Sequence, residues 1–176
     1  MFRQMRRSKQ ALSQEECDQV LLRGTSGVLA VSGDGGYPYA VPLSYAYAEG
    51  KLYFHCAKKG HKLDAILKEE KACFCVIDLD DIVPERYTTY FRSVIAFGRA
   101  RILEQEQERR RAIELFAEKY APGDERGRQQ EIEREFGRLC MVELAIEHLS
   151  GKEAIELVKK KGRENGEGES PSPKNE

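Results

Sequence analysis

The sequence predicts a mainly β protein, a small six-stranded antiparallel β-barrel with added helices. Between residues 27 and 103 the apolar residues mostly alternate with a period of two, and turn-forming clusters separate the extended runs. The helical period of 3.6 is confined to a segment before the first strand, a short segment near residue 63 and the chain after residue 103. Strands without regular crossover helices favour antiparallel pairing over a βαβ-wound sheet.

The chain of 176 residues has room for one domain with a substantial core. We expect a basic N-terminal arm over residues 1–12, the domain over residues 13–161 and a disordered tail over residues 162–176, which are rich in Gly, Glu, Ser and Pro. A formal charge of -1 gives no indication of nucleic acid or a membrane as partner. The basic start is followed by no apolar run typical of a signal peptide, and no later stretch is long enough to span a bilayer, so we expect a cytoplasmic protein.

A short helix and a hairpin open the domain. Ser13 and Glu16 have the spacing of a capping box, which predicts a packing or lid helix that ends at Gly24. Residues 27–32 form an apolar run of strand length, and residues 33–36 (Gly-Asp-Gly-Gly) can supply the positive φ of a hairpin turn. The first strand is therefore expected to pair with the next one.

The extended pattern resumes over residues 37–47. Val41, Leu43 and Tyr45 would share one face with Tyr47. A proline has no N–H for a neighbouring strand, so the strand must be irregular or lie at an edge of the sheet near residue 42. This is a place where backbone could face a ligand.

The most informative stretch is residues 52–66, which reads as an aromatic strand, a basic turn containing Gly60 and a helix. Such a turn brings unpaired amides and cations to the positive end of a helix, which predicts a phosphate site. The strand before it, with Tyr53 and His55, would place flat side chains beside that site. An aromatic ring system that carries a phosphate fits this arrangement, and FMN fits it better than an inorganic anion.

The rest of the chain completes the sheet and adds helices. The expected elements are a buried strand over residues 72–77, an acidic loop over 78–84, a long strand over 88–103, a helix over 106–120, a more polar helix over about 127–136, a last strand over 140–147 and a final helical turn or two over 153–161. The helix over 106–120 should turn Ile113, Phe116, Ala117 and Tyr120 inward. A barrel this small is filled by its own side chains. A flavin-sized ligand should therefore bind on its outer surface or between subunits.

Five segments together resemble a known family. They are residues 5–9 (Met-Arg-Arg-Ser-Lys), 39–45 (Tyr-Ala-Val-Pro-Leu-Ser-Tyr), 52–62 (Leu-Tyr-Phe-His-Cys-Ala-Lys-Lys-Gly-His-Lys), 91–100 (Phe-Arg-Ser-Val-Ile-Ala-Phe-Gly-Arg-Ala) and 146–153 (Ile-Glu-His-Leu-Ser-Gly-Lys-Glu). The combination resembles the pyridoxamine 5'-phosphate oxidase-like split-barrel flavoproteins, and within them most closely the branch related to the Nim-type nitroimidazole resistance proteins. The resemblance implies a homodimer of split barrels that holds two FMN molecules in the clefts between its subunits.

The resemblance also implies cofactor contacts. They are Ala40, Val41, Pro42, Leu43, Ser44, Tyr45, His55, Cys56, Ala57, Gly60, His61, Lys62 and Ser93. The first six correspond to a strand whose backbone flanks the isoalloxazine and ribityl chain, and Ser93 takes the place of a Gln contributed by the partner subunit. His61 and Lys62 take the place of an Arg-Lys pair on the FMN phosphate. A histidine lacks the bidentate fork of arginine, so phosphate affinity would depend more on Lys62 and on backbone amides.

The chain departs from true pyridoxamine phosphate oxidases in two respects. It contains no tryptophan, and the C-terminal Arg/Trp/Pro segment typical of those enzymes is absent. We therefore do not extend their substrate or activity to this chain.

His55 is the candidate catalytic residue, because its ordinary pKa suits proton delivery to a reduced substrate. A hydrogen-bonded histidine in the interior or at an interface fits the sequence equally well. No paired Cys-x-x-Cys or His-x-x-x-His spacing supports a metal site. Cys73 and Cys75 share one strand face and indicate packing rather than redox chemistry.

The sequence therefore predicts an FMN-dependent oxidoreductase, with a Nim-like reductase of nitroaromatic or other small molecules as the named candidate. Two alternatives stay open. One is a flavin-binding module without turnover, such as a store or sensor. The other is a haem-binding split barrel with His55, His61 or His148 as the axial ligand. The sequence shows no Rossmann-type nicotinamide motif, so an electron donor would visit the open cleft or be another protein.

Overall fold

The described part of the chain folds into seven strands and five α-helices. The computed structural model describes residues 2–166, and side chains as far as residue 163. In chain order the elements are α1 (Gln14–Arg23), β1 (Ser26–Ser32), β2 (Pro38–Ser44), β3 (Ala46–Ala48), β4 (Lys51–Ala57), α2 (His61–Lys68), β5 (Lys71–Val83), β6 (Thr88–Ile102), α3 (Glu106–Tyr120), α4 (Glu125–Glu135), β7 (Leu139–Glu153) and α5 (Ile155–Gly166). The strands pair antiparallel in the order β2-β1-β5-β6-β7-β4-β3. The predicted class, mainly β with added helices, is confirmed.

The predicted number of six strands is wrong, because residues 37–47 form two strands. β2 pairs with β1 at one end of the strand order, and β3 pairs with β4 at the other end. Only Tyr45 separates β2 from β3 in the chain, so one residue connects the first strand of the strand order to the last. Tyr120 satisfies the backbone there, because the Tyr45 N–H donates to its hydroxyl at 3.0 Å and that hydroxyl donates to the carbonyl of Thr25.

Two further boundaries differ from the predicted ones. Residues 78–83, predicted as an acidic loop, continue β5, and after an irregularity at Asp78 residues 79–83 pair with residues 88–92 of β6, for example Asp80 with Phe91. Pairing with β-branched and aromatic neighbours overrides the weak strand preference of aspartate. At the other end, α5 extends to Gly166, so the start of the predicted tail is helical, and residues 167–176 lie outside the described residues.

Local signals placed the first elements correctly. Ser13 caps α1 with the predicted capping box, because its side chain accepts from the Glu16 N–H at 3.1 Å while Glu16 accepts from the Ser13 N–H at 2.8 Å. β2 lies at an end of the strand order, as the lack of an N–H at Pro42 requires. Among the described residues, no helix combines the length and the apolar character needed to cross a lipid bilayer.

The barrel interior is filled by side chains, as predicted. Tyr45, Phe54 and Phe74 are fully buried there. The rings of Tyr45 and Phe74 meet edge-on at 5.1 Å, and those of Phe54 and Phe74 stack at 6.2 Å. A second apolar cluster joins α3 and α4 to the outer side of β3, β4 and the start of β7, with Phe116 and Met141 among its members.

Apolar side chains also line the outward face of β1, β2, β5 and β6, opposite the buried core positions. This outer sheet patch consists of Val28, Ala30, Ala40, Pro42, Cys73, Cys75, Ile77, Ile95 and Phe97, which are all exposed or half-buried. Register joins them across the strands, since Cys73 lies opposite both Ala30 and Phe97. Ile77 is 66% exposed, so the patch is open to a partner surface.

A β-bulge between Phe97 and Gly98 shifts the register of β6 against β7. A Cβ atom at Gly98 would lie 2.9 Å from the carbonyl carbon of Ala145 and closer still to its oxygen. We expect Gly98→Ala to lower the free energy of unfolding by about 1–3 kcal/mol, because backbone must move to make room. Denaturant unfolding measures this loss.

The matched control is Gly137→Ala, where a Cβ atom would meet nothing within 4 Å. We expect this variant to stay within about 0.5 kcal/mol of the parent protein. Equal effects of the two substitutions would contradict the assignment of a tight backbone approach at the bulge.

Candidate functional site

The end of β4, the turn after it and the start of α2 form an open backbone site. Gly60 is the N-cap residue of α2 with a φ of 142°, and a Cβ atom there would meet nothing within 4 Å. The backbone amides of Gly60, His61 and Lys62 have no hydrogen-bond partner among the described residues. These amides lie at the positive end of the α2 dipole, so they are available to an anion.

His61 connects this turn to the first hairpin. Its ring stacks on Tyr39 of β2, with centroids 4.1 Å apart, and its Nε2 lies 3.5 Å from Oδ2 of Asp34. A hydrogen bond from Lys68 at 3.0 Å, together with the charges of Lys68 and His61, lowers the pKa of Asp34. The His61 side chain is therefore engaged with the hairpin, and its backbone amide faces the open turn.

Lys62 is half-buried beside the turn, and no described residue forms an ion pair with it. Its charge acts on the thiol of Cys56. A free ammonium and free amides at one helix start are the groups that bind a phosphate. The structure thus places the free amides of Gly60, His61 and Lys62 together at one helix start.

Successive side chains of β4 point to opposite sides of the sheet. Cys56 packs against the barrel interior opposite Cys140, and burial raises the pKa of the Cys56 thiol to about 11. Such a thiol is protonated at neutral pH and is a poor nucleophile. His55 points outward, where its ring meets Phe116 edge-on with centroids 4.7 Å apart. Desolvation lowers the pKa of His55, which favours its neutral imidazole form.

A cavity of about 750 Å³ lies between the outer side of β4 and helices α3 and α4. Its wall includes His55, Ile113, Phe116, Ala117, Tyr120 and Ile132. The sequence correctly placed Ile113, Phe116, Ala117 and Tyr120 on one face of a helix but suggested only packing for them. One signal for the cavity was available in the sequence. The helix α4 is polar and buries only Ile132, so it has too little apolar surface to cover the apolar face of α3.

The six predicted residues at the β2 end divide between two sides. Ala40, Pro42 and Ser44 are exposed, whereas Val41, Leu43 and Tyr45 face the core. The Tyr45 hydroxyl donates to the carbonyl of Leu21 at 2.9 Å, which is a structural role. A ligand on this strand could therefore meet the outward side chains or the edge backbone, but not the Tyr45 side chain.

Ser93 lies far from the other predicted residues within one chain. It pairs with Lys152 of β7, whereas His55 pairs with Met141 of the same strand. These two register positions are 11 positions apart along β7, which corresponds to roughly 35 Å of strand. Ser93 and His55 therefore do not meet in one barrel.

The three histidines are also not gathered. His148 stacks on Phe2 of the N-terminal arm, with centroids 4.5 Å apart, and lies opposite Phe97 on β6. Within the described part of the chain, no group of three or more His, Cys, Asp or Glu side chains is arranged to hold a metal ion.

Comparison with known proteins gives a family and related folds. The sequence model of the family described as pyridoxamine 5'-phosphate oxidase matches residues 13–153. The fold is similar to a proposed 5-nitroimidazole antibiotic resistance protein from Bacteroides thetaiotaomicron, with a TM-score of 0.67 and 17% identity over 81% of this chain and 85% of that one. It is similar to an FAD-binding protein from Mesorhizobium loti, with a TM-score of 0.60 and 25% identity over 82% of this chain and 96% of that one.

The FAD and haem binding protein from Mycobacterium smegmatis is similar with a TM-score of 0.68 and 22% identity, over 83% of this chain and 73% of that one. No curated protein sequence matches the chain.

Proposed function

Because the chain belongs to the pyridoxamine 5'-phosphate oxidase family, we propose that it binds FMN at the turn between β4 and α2 and works as an FMN-dependent oxidoreductase. The observation that carries the proposal is the set of free amides at Gly60, His61 and Lys62 beside the free Lys62 ammonium. These groups fit a terminal phosphate monoester, which FMN has.

The experiment that tests this proposal is a titration of flavin-free protein with FMN, FAD and riboflavin, followed by flavin fluorescence. We expect FMN to bind tightly with about one flavin per chain, and riboflavin to bind at least ten-fold more weakly because it lacks the phosphate. Tighter binding of FAD than of FMN would replace FMN by FAD as the cofactor. Equal affinity for FMN and riboflavin would refute the phosphate site.

A bound flavin supplies the electron transfer of such a reaction. Lys62 and the amides of the turn would fix the phosphate, and the outward side of β2 would lie against the ring system.

We propose a Nim-like reductase of nitroaromatic or other small molecules, in keeping with the fold of the Bacteroides thetaiotaomicron protein. Reduction of a nitroaromatic compound by flavin-loaded protein and an added donor tests this substrate class. Bound FMN with no turnover by any donor would favour the store or sensor.

His55 is proposed as the residue that carries a proton to the reduced substrate. Because the pKa of His55 is lowered, its imidazolium form becomes populated only at a pH below the ordinary pKa of histidine. We expect the turnover rate of the flavin-loaded protein to rise as the pH falls from 7 to 5, and His55→Phe to remove this rise while still binding FMN. An unchanged pH profile in the variant would mean that His55 does not transfer the proton.

A homodimer with FMN between its subunits would explain the position of Ser93. Its distance from His55 along β7 allows it to reach a flavin only on another chain, and the outer sheet patch offers an apolar surface for that chain. Light scattering on the purified protein tests the dimer, and Ile95→Lys in the patch should produce monomers that lose FMN.

The five cysteines are free thiols, which fits a reducing compartment and our proposal of a cytoplasmic protein.

Haem binding is a second candidate, favoured by the neutral His55 that faces the cavity beside α3. A neutral imidazole in an apolar cavity suits an axial haem ligand. Adding haem to the purified protein would then give a Soret band that shifts in His55→Ala. A spectrum identical to that of free haem would exclude this candidate.

A further inference from the structure

We propose that the cavity between β4, α3 and α4, here called the α3/α4 cavity, binds an uncharged aromatic molecule. The coupling of this molecule to a flavin rests on the proposed function, whereas its binding does not. The site would make an uncharged aromatic compound the substrate class of the neighbouring flavin.

The wall of the α3/α4 cavity presents aromatic surfaces. The rings of Phe116 and Tyr120 on α3 stack on each other, with centroids 4.6 Å apart and an angle of 21° between them. The ring of His55 stands edge-on to Phe116 on the opposite, strand side. Ile113 and Ile132 complete the apolar wall. Offset stacking and edge-on contacts of this kind favour another aromatic ring as the occupant.

The charged groups at the mouth of the cavity are already engaged within the protein. Asp124 caps α4 by accepting from the Gly127 N–H at 2.9 Å, and Arg128 donates to the carbonyl of Ala121 at 2.8 Å. The next charges along the rim pair among themselves, Glu135 with Arg138 at 3.7 Å and Glu131 with Arg134.

The residues that line the cavity include three carboxylates and two guanidinium groups, so the rim has no strong excess of either sign, and a charged ligand would have to leave water for an apolar wall. That loss opposes binding of an ion in an apolar site. The wall and the rim therefore both favour a ligand without net charge.

The size and position of the cavity fit a small-molecule substrate. Its volume of about 750 Å³ lies within the range of small-molecule pockets, roughly 300–1,000 Å³. It extends to Ala57, the last residue of β4 and three positions before Gly60. A ligand in the cavity would thus lie close to a flavin whose phosphate occupies the turn at Gly60.

The test uses two fluorescent probes that differ by one charged group. N-phenyl-1-naphthylamine is uncharged, and 8-anilinonaphthalene-1-sulfonate is the same molecule with a sulfonate. We expect the uncharged probe to bind flavin-free protein with saturation and the sulfonate to bind at least ten-fold more weakly. Equal binding of both probes would overturn the assignment of an uncharged ligand.

Ala117→Phe tests whether binding takes place in the cavity, because the added ring projects from the cavity wall. We expect it to weaken binding of the uncharged probe at least ten-fold. The matched control, Glu114→Phe, adds the same ring on the exposed side of α3 and should bind like the parent protein. If Ala117→Phe does not fold, Ala117→Leu should give a smaller loss. Unchanged binding in a folded Ala117 variant would overturn the proposal.

Flavin binding, measured on the same preparations, separates this proposal from the proposed function. Probe binding without any flavin binding would support the cavity and refute the flavin site. Flavin binding without probe binding would support the flavin site and refute the cavity as a binding site. If FMN and the uncharged probe displace each other competitively, the cavity is the flavin site itself and the inference fails.

Discussion

Replacing Lys62 by alanine is expected to weaken FMN binding by about 10- to 100-fold, the range for loss of a hydrogen bond to a charged group. Lys62 is half-buried beside three free backbone amides and has no ion-pair partner among the described residues, so no protein carboxylate competes for its charge. Riboflavin affinity should stay nearly the same, because in the proposed complex the Lys62 ammonium contacts only the phosphate. Fluorescence titrations with both flavins measure the difference.

The control for this prediction lies on the same helix. Lys68 at the end of α2 is largely exposed and pairs with Asp34, so Lys68→Ala removes an equal charge far from the free amides. It should bind FMN within about two-fold of the parent protein, in line with the small effect of exposed charges. If Lys68→Ala weakens FMN binding as much as Lys62→Ala, general electrostatic attraction and not a phosphate contact holds the cofactor.

Features that depend on neighbours along the chain could be predicted from the sequence. The capping box at Ser13, the helix over Glu106–Tyr120 and the strand-turn-helix around Gly60 all appear as expected, because a few adjacent residues determine each of them. The free amides of the turn after β4 belong to this group, whereas their binding of an anion stays a prediction. The amides are free because of the local N-cap geometry, and no long-range contact is needed to form the turn.

Features that depend on pairing between distant segments were missed. The division of residues 37–47 into two strands follows from Tyr45 being buried and from Tyr120, 75 positions later, satisfying its backbone. Likewise, Tyr39 and Asp34 contact the His61 ring, which the family resemblance implies on the phosphate, and that phosphate contact stays a prediction. Alternation and turn signals contain no information on which segment will supply such a partner.

The α3/α4 cavity shows the same limit for the candidate site. The apolar positions of α3 gave its buried face correctly, but a face that packs against a sheet and one that lines a cavity have the same periodicity. The separation between α3 and β4 depends on α4 and on the segment before β7, which are distant in sequence from His55. Ser93 marks a further limit, since no single barrel brings it to the site.

A buried ionic network at the far end of β7 explains the second large effect that we expect. Glu153 is 2% exposed and accepts from Arg92 at 3.0 Å and from Lys161 at 2.6 Å. Arg92 also pairs with Asp78, to which Arg23 donates twice. Burial alone would raise the pKa of Asp78, but hydrogen bonds from the two arginines outweigh it and lower that pKa. The network thus joins α1, β5, β6, β7 and α5.

Glu153→Ala should therefore lower the free energy of unfolding by about 2–4 kcal/mol at pH 7, somewhat less than for a fully buried pair because Arg92 and Lys161 keep partial access to water. Glu153→Gln retains the volume and one acceptor oxygen, so it should lose no more than about half as much. Denaturant unfolding of both variants and the parent protein measures these differences. Asp78 and its arginines remain in each variant, so these variants test Glu153 alone. Equal losses for Ala and Gln would show that the negative charge of Glu153 stabilises the fold, and equal stability of all three proteins would show that Glu153 contributes nothing.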